Sequence, residues 1–112
     1  MAGIQRIGNV FYYAQDLDAA VRFYTEVLGF PMKFRDGDHW AAFDVGGMTF
    51  AIEGGGAPRG AMVSLRVEGL AEVVDGLRGR GARVSDVETG AHERRATLTD
   101  PAGNEVILYE PA

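Results

Sequence analysis

The chain has 112 residues, of which 16 are glycine, and 11 Lys and Arg stand against 16 Asp and Glu for a formal charge of −5. This length favours a single domain, and a hydrophobic content of 46% excludes a disordered or collagen-like chain. The acidic balance without a basic stripe excludes a nucleic-acid-binding surface, and the lack of cysteine excludes disulfides, thiolate nucleophiles and cysteine-ligated zinc.

The first residues do not have the pattern expected of a targeting signal. Residues 1–7 lack the apolar core of a secretion signal and are too short to span a bilayer. We therefore expect a cytoplasmic protein that binds neither membrane nor nucleic acid.

The first half of the chain predicts a strand, a helix and three further strands. Residues 6–13 are rich in β-branched and aromatic side chains, a composition typical of a strand. Asp16 is placed as a helix N-cap and Gly29 as the helix end. Hairpin turns at 36–38 and 46–47 separate strands over 31–35, 39–45 and 48–53. One helical face carries apolar side chains at three- and four-residue spacing: Leu17, Ala20, Val21, Tyr24, Val27 and Leu28.

After a glycine-rich connector over 54–60 the same order of elements is predicted again. A strand over 61–67 precedes a helix that starts near Leu70 and ends at Gly81, and strands follow over 83–87, 94–99 and 105–109. The basic cluster Arg78, Arg80 and Arg83 is interleaved with glycine, which favours a solvated helix end.

The two halves align with each other. Val10 and Leu17 match Val63 and Leu70 at an offset of 53, while the turn glycines Gly47 and Gly103 match at an offset of 56. The sequence therefore predicts an internal repeat of a βαβββ module, over 4–53 and 61–110, inside one domain spanning 1–112.

Two motifs identify a family resemblance. The run over 16–30, DLDAAVRFYTEVLGF, and the turn over 100–104, DPAGN, resemble the vicinal oxygen chelate superfamily, which includes glyoxalases, bleomycin resistance proteins and dioxygenases. The resemblance implies an α+β fold in which two βαβββ modules form a curled mixed sheet around a cup, often in a homodimer. It leaves the reaction open, because one fold hosts many functions.

The resemblance also implies four positions for metal ligands. In this chain they are occupied by Asn9, Ala51, Met62 and Ile107. A neutral amide beside three side chains without imidazole or carboxylate cannot hold a divalent ion. A shift of two residues at the third position would bring in Glu53, which still leaves an incomplete ligand set. We therefore expect neither a metal nor another cofactor.

The period of two along the strands sorts side chains onto two faces. One face is aliphatic and aromatic and is expected to pack under the helices. The other combines aromatic and polar groups, which favours a small-molecule pocket over a face turned simply to water. The predicted ligand-binding residues are Asn9, Phe11, Tyr13, Trp40, Glu53, Met62, Ser64, Arg66, Ile107 and Tyr109.

Several of these residues have two interpretations. Trp40 is either a stacking surface for a planar ligand or a core tryptophan. Arg66 either clamps an anion or forms a salt bridge to Glu53 or Glu105. Glu53 or Glu105 is a general base if burial raises its pKa, and otherwise a solvated carboxylate.

Three functions remain open at this point. The first is a metal-free protein that binds, and thereby sequesters, an apolar or aromatic small molecule such as a drug. The second is a metal-dependent lyase, isomerase or dioxygenase with ligands from Glu53, His39 or His92, although a hairpin turn and a surface loop explain the two histidines equally well. The third is a homodimer without a ligand, formed by side-by-side association or by exchange of modules.

Overall fold

The computed structural model describes residues 2–112 as an α+β fold with both parallel and antiparallel strand pairs. The strands are β1 (Gly3–Ala14), β2 (Met32–Asp36), β3 (Trp40–Val45), β4 (Met48–Gly54), β5 (Met62–Glu68), β6 (Arg83–Val84), β7 (Glu88–Thr89), β8 (Glu93–Thr99) and β9 (Glu105–Pro111), and the α-helices are α1 (Leu17–Arg22) and α2 (Leu70–Gly79). No helix within these residues has the length and apolar run needed to cross a membrane.

Two compact units divide the chain. The N-terminal unit is Asn9–Ala61, and the C-terminal unit is Met62–Ala112 together with the chain up to Gly8. β1 is therefore shared, because its residues up to Gly8 belong to one unit and those from Asn9 onwards to the other.

The N-terminal unit orders its strands β2-β3-β4-β1. β1 runs parallel to β4, with Val10 opposite Phe50, whereas both β2 and β4 pair antiparallel with β3. Parallel neighbours cannot be joined by a hairpin, so the chain crosses over one face of the sheet through α1. That face carries the expected core, whose buried members are Leu17, Val21, Ala41, Phe43 and Ile52.

The first helix begins as the sequence predicts and changes its winding halfway. The carboxylate of Asp16 accepts a hydrogen bond of 3.0 Å from the N–H of Ala19, and Gly29 follows the helix with φ +72°. Residues Phe23–Val27 form a π-helical turn, in which the Thr25 hydroxyl donates to the Val21 carbonyl at 2.7 Å. The hydroxyl thus takes the acceptor that an α-helix would reserve for the N–H of residue 25.

The π-helical turn corrects the predicted helical face. An inserted turn residue rotates every following side chain around the helix axis, so the expectation that Val27 and Leu28 share the buried stripe is wrong. Their exposed fractions are 68% and 48%. Tyr24 and Phe30 instead pack together against the core, with their rings stacked at 5.8 Å.

The C-terminal unit repeats this plan. β5 runs parallel to β9, β8 pairs antiparallel with β9, and both β6 and β7 pair antiparallel with β8. α2 covers one face, and the buried residues beneath it are Val67, Leu70, Val74, Ala96 and Leu108. Gly81 ends the helix with φ +89°, as the sequence predicts.

The strand predicted over 83–87 is wrong beyond Val84. Ser85 continues the pairing through its N–H, which donates to the Thr97 carbonyl at 2.9 Å. The returning bond from the N–H of Thr97, however, goes to the Ser85 hydroxyl at 2.8 Å. Because a side-chain oxygen replaces the backbone carbonyl, the ladder ends there, and pairing with β8 resumes only at Glu88.

The hairpin turns at Gly47 and Gly103 are both stabilised by an aspartate side chain, which the glycine pattern did not predict. Asp44 accepts a hydrogen bond of 2.9 Å from the N–H of Gly47. Asp100 likewise accepts bonds of 2.9 Å from the N–H groups of Ala102 and Asn104. Together with the Asn104 side chain, these bonds lower the pKa of Asp100 below its ordinary value. Each turn is thus fixed by an aspartate as well as by a glycine.

Substituting two glycines tests how closely the backbone packs. A Cβ at Gly54 would clash with the Asp38 carbonyl oxygen, whereas a Cβ at Gly76, inside α2, meets nothing within 4 Å. We expect Gly54→Ala to lower the free energy of unfolding by roughly 1–3 kcal/mol. Gly76→Ala should raise it by about 0.5–1 kcal/mol, because alanine loses less backbone entropy in a helix. Urea denaturation measures both, and equal effects of the two variants would contradict the described packing.

The ring packing of Tyr24 yields a second prediction. Burial raises the pKa of Tyr24 above its ordinary value, and the nearby Tyr12 adds to the effect. The stability that this shift represents is therefore complete below the ordinary tyrosine pKa and is lost as pH rises through the folded-state value. A spectrophotometric titration should show a tyrosine component that ionises above the ordinary tyrosine pKa. Tyr24→Phe should remove that late component, and its persistence in the variant would contradict the assignment.

Candidate functional site

An aromatic cluster lies on the face of the N-terminal sheet opposite α1. The Phe11 ring centroid lies 5.3 Å from that of Tyr13 and 5.2 Å from that of Trp40, with the rings inclined to each other. Phe11 is fully buried, whereas Tyr13 and Trp40 are half-buried. Phe11 thus supports two aromatic side chains that keep part of their surface accessible.

A carboxylate lies between the two accessible rings. Across the three neighbouring strands, Glu53 is directly opposite Trp40 on one side and Tyr13 on the other. Asp36 on β2 continues the same row beyond Trp40. Residues directly opposite each other share a sheet face, so two aromatic side chains alternate with two carboxylates. We call these four residues, Asp36, Trp40, Glu53 and Tyr13, the aromatic row.

The connector after β4 borders the end of the aromatic row. The N–H of Gly55 donates to the Ala14 carbonyl at 2.9 Å, and Gly56 lies so close to the Tyr13 ring that a Cβ there would clash with it. The Arg59 guanidinium carbon lies 5.2 Å from the centre of that ring, a cation–π distance. One side of Tyr13 is therefore covered by the connector.

Two more predicted positions lie on the same face of this unit. Ala51, fully buried, is directly opposite Phe11. Asn9 is half-buried, and its side-chain oxygen is buried without a hydrogen-bond partner within residues 2–112. An unsatisfied buried acceptor costs free energy, and a donor from a bound molecule would remove that cost.

In the C-terminal unit the predicted residues lie on β5 and β9. Ser64 is directly opposite Ile107, and Arg66 is directly opposite Tyr109. Met62, Ser64 and Ile107 are each at most 4% exposed, whereas Arg66 and Tyr109 are half-buried. The deep part of this face is thus apolar except for one hydroxyl.

Two side chains of this face have specific surroundings. The Tyr109 hydroxyl lies directly over Gly8, where any side chain would clash with it. Arg66 forms no ion pair within the part of the chain that the structure describes. The expected alternative of a salt bridge from Arg66 to Glu105, which lies in the same unit, is therefore not formed. Glu105 is half-buried and opposite Thr99.

The four positions implied for metal ligands do not fit a divalent ion. Asn9 offers a carbonyl oxygen and Met62 a thioether, while Ala51 and Ile107 offer only hydrocarbon. First-row divalent ions require several imidazole, carboxylate or thiolate ligands. Within residues 2–112 no group of three or more His, Asp or Glu side chains is placed to hold one.

The two histidines are surface residues in this structure. Both His39 and His92 are exposed. The N–H of His39 donates to the Asp36 carbonyl at 2.9 Å and so closes the hairpin turn, which confirms the prediction of a polar turn at 36–38. A role for either histidine as a ligand has no support in this arrangement.

Sequence patterns located the strand residues of both faces but missed the contribution of the connector. Phe11, Tyr13, Trp40 and Glu53 lie together as the period of two predicts. Arg59 was not predicted, because a cation over a ring depends on the path of a glycine-rich segment, which no periodicity encodes. Trp40 has features of both a stacking surface and a core tryptophan, since it contacts Phe11 yet remains half-buried.

Comparisons with known proteins define the family. Residues 9–109 match the model of the glyoxalase-like domain. An uncharacterized protein of Mycolicibacterium smegmatis is 36% identical over 103 residues, which cover 87% of this chain and 86% of the relative. A glyoxalase/bleomycin resistance protein/dioxygenase superfamily member from Vibrio splendidus superimposes with a TM-score of 0.70 at 14% identity, over 96% of this chain and 99% of that one. Methylmalonyl-CoA epimerase from Mycobacterium tuberculosis superimposes with a TM-score of 0.73 at 20% identity, over 97% of this chain and 89% of that one. This chain therefore belongs to the glyoxalase-like domain family.

Proposed function

We propose that this chain is a metal-independent binding protein for a planar aromatic small molecule. The observation that carries the proposal is the contact of Phe11 with Trp40 and Tyr13 on the sheet face that no helix of its unit covers. Ligand pockets are lined mainly by apolar and aromatic side chains with a few polar groups among them. The aromatic row has this composition when Phe11 and Ala51, on the same face, are included.

Trp40 is the side chain best suited to stack on a ligand. Phe11 is fully buried beside it, so the indole is held by a fixed neighbour while part of its surface stays accessible. Tyr13, by contrast, has one side covered by Gly56 and Arg59. A flat ligand would therefore lie against Trp40 and meet Tyr13 at its side.

The polar groups of this face determine which planar ligands it favours. Glu53 and Asp36 flank Trp40 across the strands, so a carboxylate residue lies on each side of the indole. Carboxylates and aromatic rings both attract a positively charged ring system. The buried amide oxygen of Asn9 adds an acceptor for an N–H group. We expect cationic or N–H-bearing aromatic molecules to bind more tightly than anionic ones.

The donor set separates this proposal from metal-dependent catalysis. Members of a superfamily share a fold without sharing a reaction, and the positions implied for metal ligands here carry hydrocarbon, a thioether and one amide. The alternative, an enzyme with ligands from Glu53, His39 or His92, has no supporting cluster within residues 2–112. Sequestration of an aromatic compound needs only the binding face.

The single tryptophan of the chain makes the binding proposal directly measurable. We expect N-methylacridinium to quench Trp40 fluorescence with a lower Kd than neutral acridine, and acridine-9-carboxylate to bind most weakly. Dialysis against a chelator should leave these affinities unchanged. Failure of all three probes to bind would contradict the proposal, and loss of binding on metal removal would favour the metal-dependent alternative.

Neighbouring tyrosines on β1 provide a matched pair of variants for the same titration. Tyr13 and Tyr12 point to opposite faces of the strand, and Tyr12 lies against Phe50 at 5.6 Å. Tyr13→Ala should weaken binding about fivefold, the value of a lost aromatic contact near 1 kcal/mol, while Tyr12→Ala leaves the Kd unchanged. Equal effects of both variants would place the ligand elsewhere.

We also propose that the chain forms a homodimer through the edge strand of its N-terminal unit. β2 is the terminal strand of that sheet and exposes 41% of Met32 and 53% of Phe34. An uncovered edge with apolar side chains favours association with another strand. Sedimentation velocity should show a dimer that Phe34→Lys dissociates, whereas Phe23→Lys, at a residue exposed by 48%, should not. A monomeric wild-type protein would contradict this proposal.

A further inference from the structure

Three arginines lie at or just after the end of α2, and of these only the Arg78 side chain forms hydrogen bonds within residues 2–112. Arg78 donates from Nε and Nη2 to the Val84 carbonyl at 3.2 and 3.0 Å. Its Nη2 also lies 3.0 Å from an Asp86 carboxylate oxygen. Arg78 thus joins the helix end to the segment after β6.

Arg80 and Arg83 are not needed to cap the helix. The N–H of Gly81 donates to the Arg78 carbonyl and the N–H of Ala82 to the Leu77 carbonyl, both at 3.0 Å. These two bonds form a Schellman motif, which satisfies the terminal carbonyls with backbone donors alone. Within residues 2–112 neither the Arg80 nor the Arg83 guanidinium forms a hydrogen bond or an ion pair.

Arg80 and Arg83 both line one cleft of about 400 Å³, between the loop after α2 and the turn from β8 to β9. Its apolar lining comes from Ala82, Leu98 and Pro101. A volume of this size lies within the range of small-molecule sites. The cleft therefore offers a hydrocarbon surface beside two positive charges.

One carboxylate, Asp100, also lines the cleft. It accepts hydrogen bonds from the N–H groups of Ala102 and Asn104 and from the Asn104 side chain. Its acceptor sites are thus directed into its own turn. Neither arginine is within ion-pair distance of it, so the positive charges are left for another anion.

We propose that this cleft binds an amphipathic organic anion, a carboxylate or phosphate carried on an apolar body about the size of one aromatic ring. The guanidinium groups of Arg80 and Arg83 donate to the anion, since planar arginine forks match carboxylate and phosphate oxygens. The apolar body lies against Leu98, Ala82 and Pro101. This site goes beyond the proposed function, because its lining residues all belong to the C-terminal unit and those of the aromatic row to the N-terminal unit.

The test is a titration of the full chain with phenyl phosphate, benzoate and inorganic phosphate, followed by amide chemical shifts. We expect phenyl phosphate and benzoate to shift the signals of Gly81, Ala82 and Leu98, and inorganic phosphate to bind more weakly because it buries no apolar surface. Weaker binding of phenyl phosphate than of benzoate would assign the site to carboxylates. Tighter binding of phenyl phosphate would assign it to phosphates. Inorganic phosphate binding as tightly as phenyl phosphate would overturn the proposal.

Variants of matched charge complete the experiment. Arg80→Gln with Arg83→Gln should raise the Kd for phenyl phosphate about tenfold, the value of roughly 1.4 kcal/mol of charge-assisted contact. Arg6→Gln with Arg22→Gln makes the same change in net charge at two exposed arginines outside the cleft. This control pair should leave the Kd for phenyl phosphate unchanged. Equal weakening by both pairs, or shifts scattered over the surface, would overturn the site. Unchanged dispersion of the remaining amide signals shows that each variant is folded.

Discussion

The parallel pairing of the first and last strands of each unit determines where chemistry can take place. β1 runs beside β4 and β5 beside β9 in the same direction, so the chain must cross between them over a sheet face. The crossing helix buries its apolar stripe on that face, as Leu17 does in one unit and Leu70 in the other. The opposite face is left uncovered by the helix of its unit and can present the side chains of its strands to a ligand.

What that opposite face presents is set by the alternation of side chains along each strand. In the N-terminal unit, Phe11, Trp40 and Tyr13 form a connected aromatic surface with Glu53 among them. In the C-terminal unit, the buried positions of this face are occupied by apolar side chains and Ser64, whereas Arg66 is half-buried. These residue types bind organic molecules through stacking, apolar contact and a few hydrogen bonds. They do not form the ligand set of a first-row metal.

Sequence reasoning succeeded where a local signal fixes the backbone. Asp16 and Gly29 define the bounds of the first helical segment because a carboxylate acceptor and a positive φ are local requirements. It failed where a side chain competes with the backbone. The Thr25 hydroxyl takes the Val21 carbonyl and the Ser85 hydroxyl takes the N–H of Thr97. Neither event changes the hydrophobic pattern, so periodicity predicts a regular helix and a regular strand in both places.

The same limit explains why some residues of the candidate sites could be predicted from the sequence and others could not. Alternation along strands places Trp40, Glu53 and Tyr13 on one face, and the register only adds their order. The placement of Arg59 over Tyr13 depends instead on the path of the connector, where glycine permits many conformations.

The arginines after α2 show why a cluster of charges cannot be interpreted from composition alone. Cationic side chains near a helix C-terminus interact favourably with its terminal carbonyls, whereas the glycines among Arg78, Arg80 and Arg83 indicate a solvated helix end. In the structure Gly81 reverses the backbone, and backbone N–H groups satisfy those carbonyls. One arginine then suffices to hold the following segment. The other two line a cleft whose one carboxylate, Asp100, accepts hydrogen bonds within its own turn and forms no ion pair with either of them. Two arginines that neither cap the helix nor form an ion pair within residues 2–112 can therefore contribute to an anion site, and the apolar side chains beside them favour an anion that carries an apolar group.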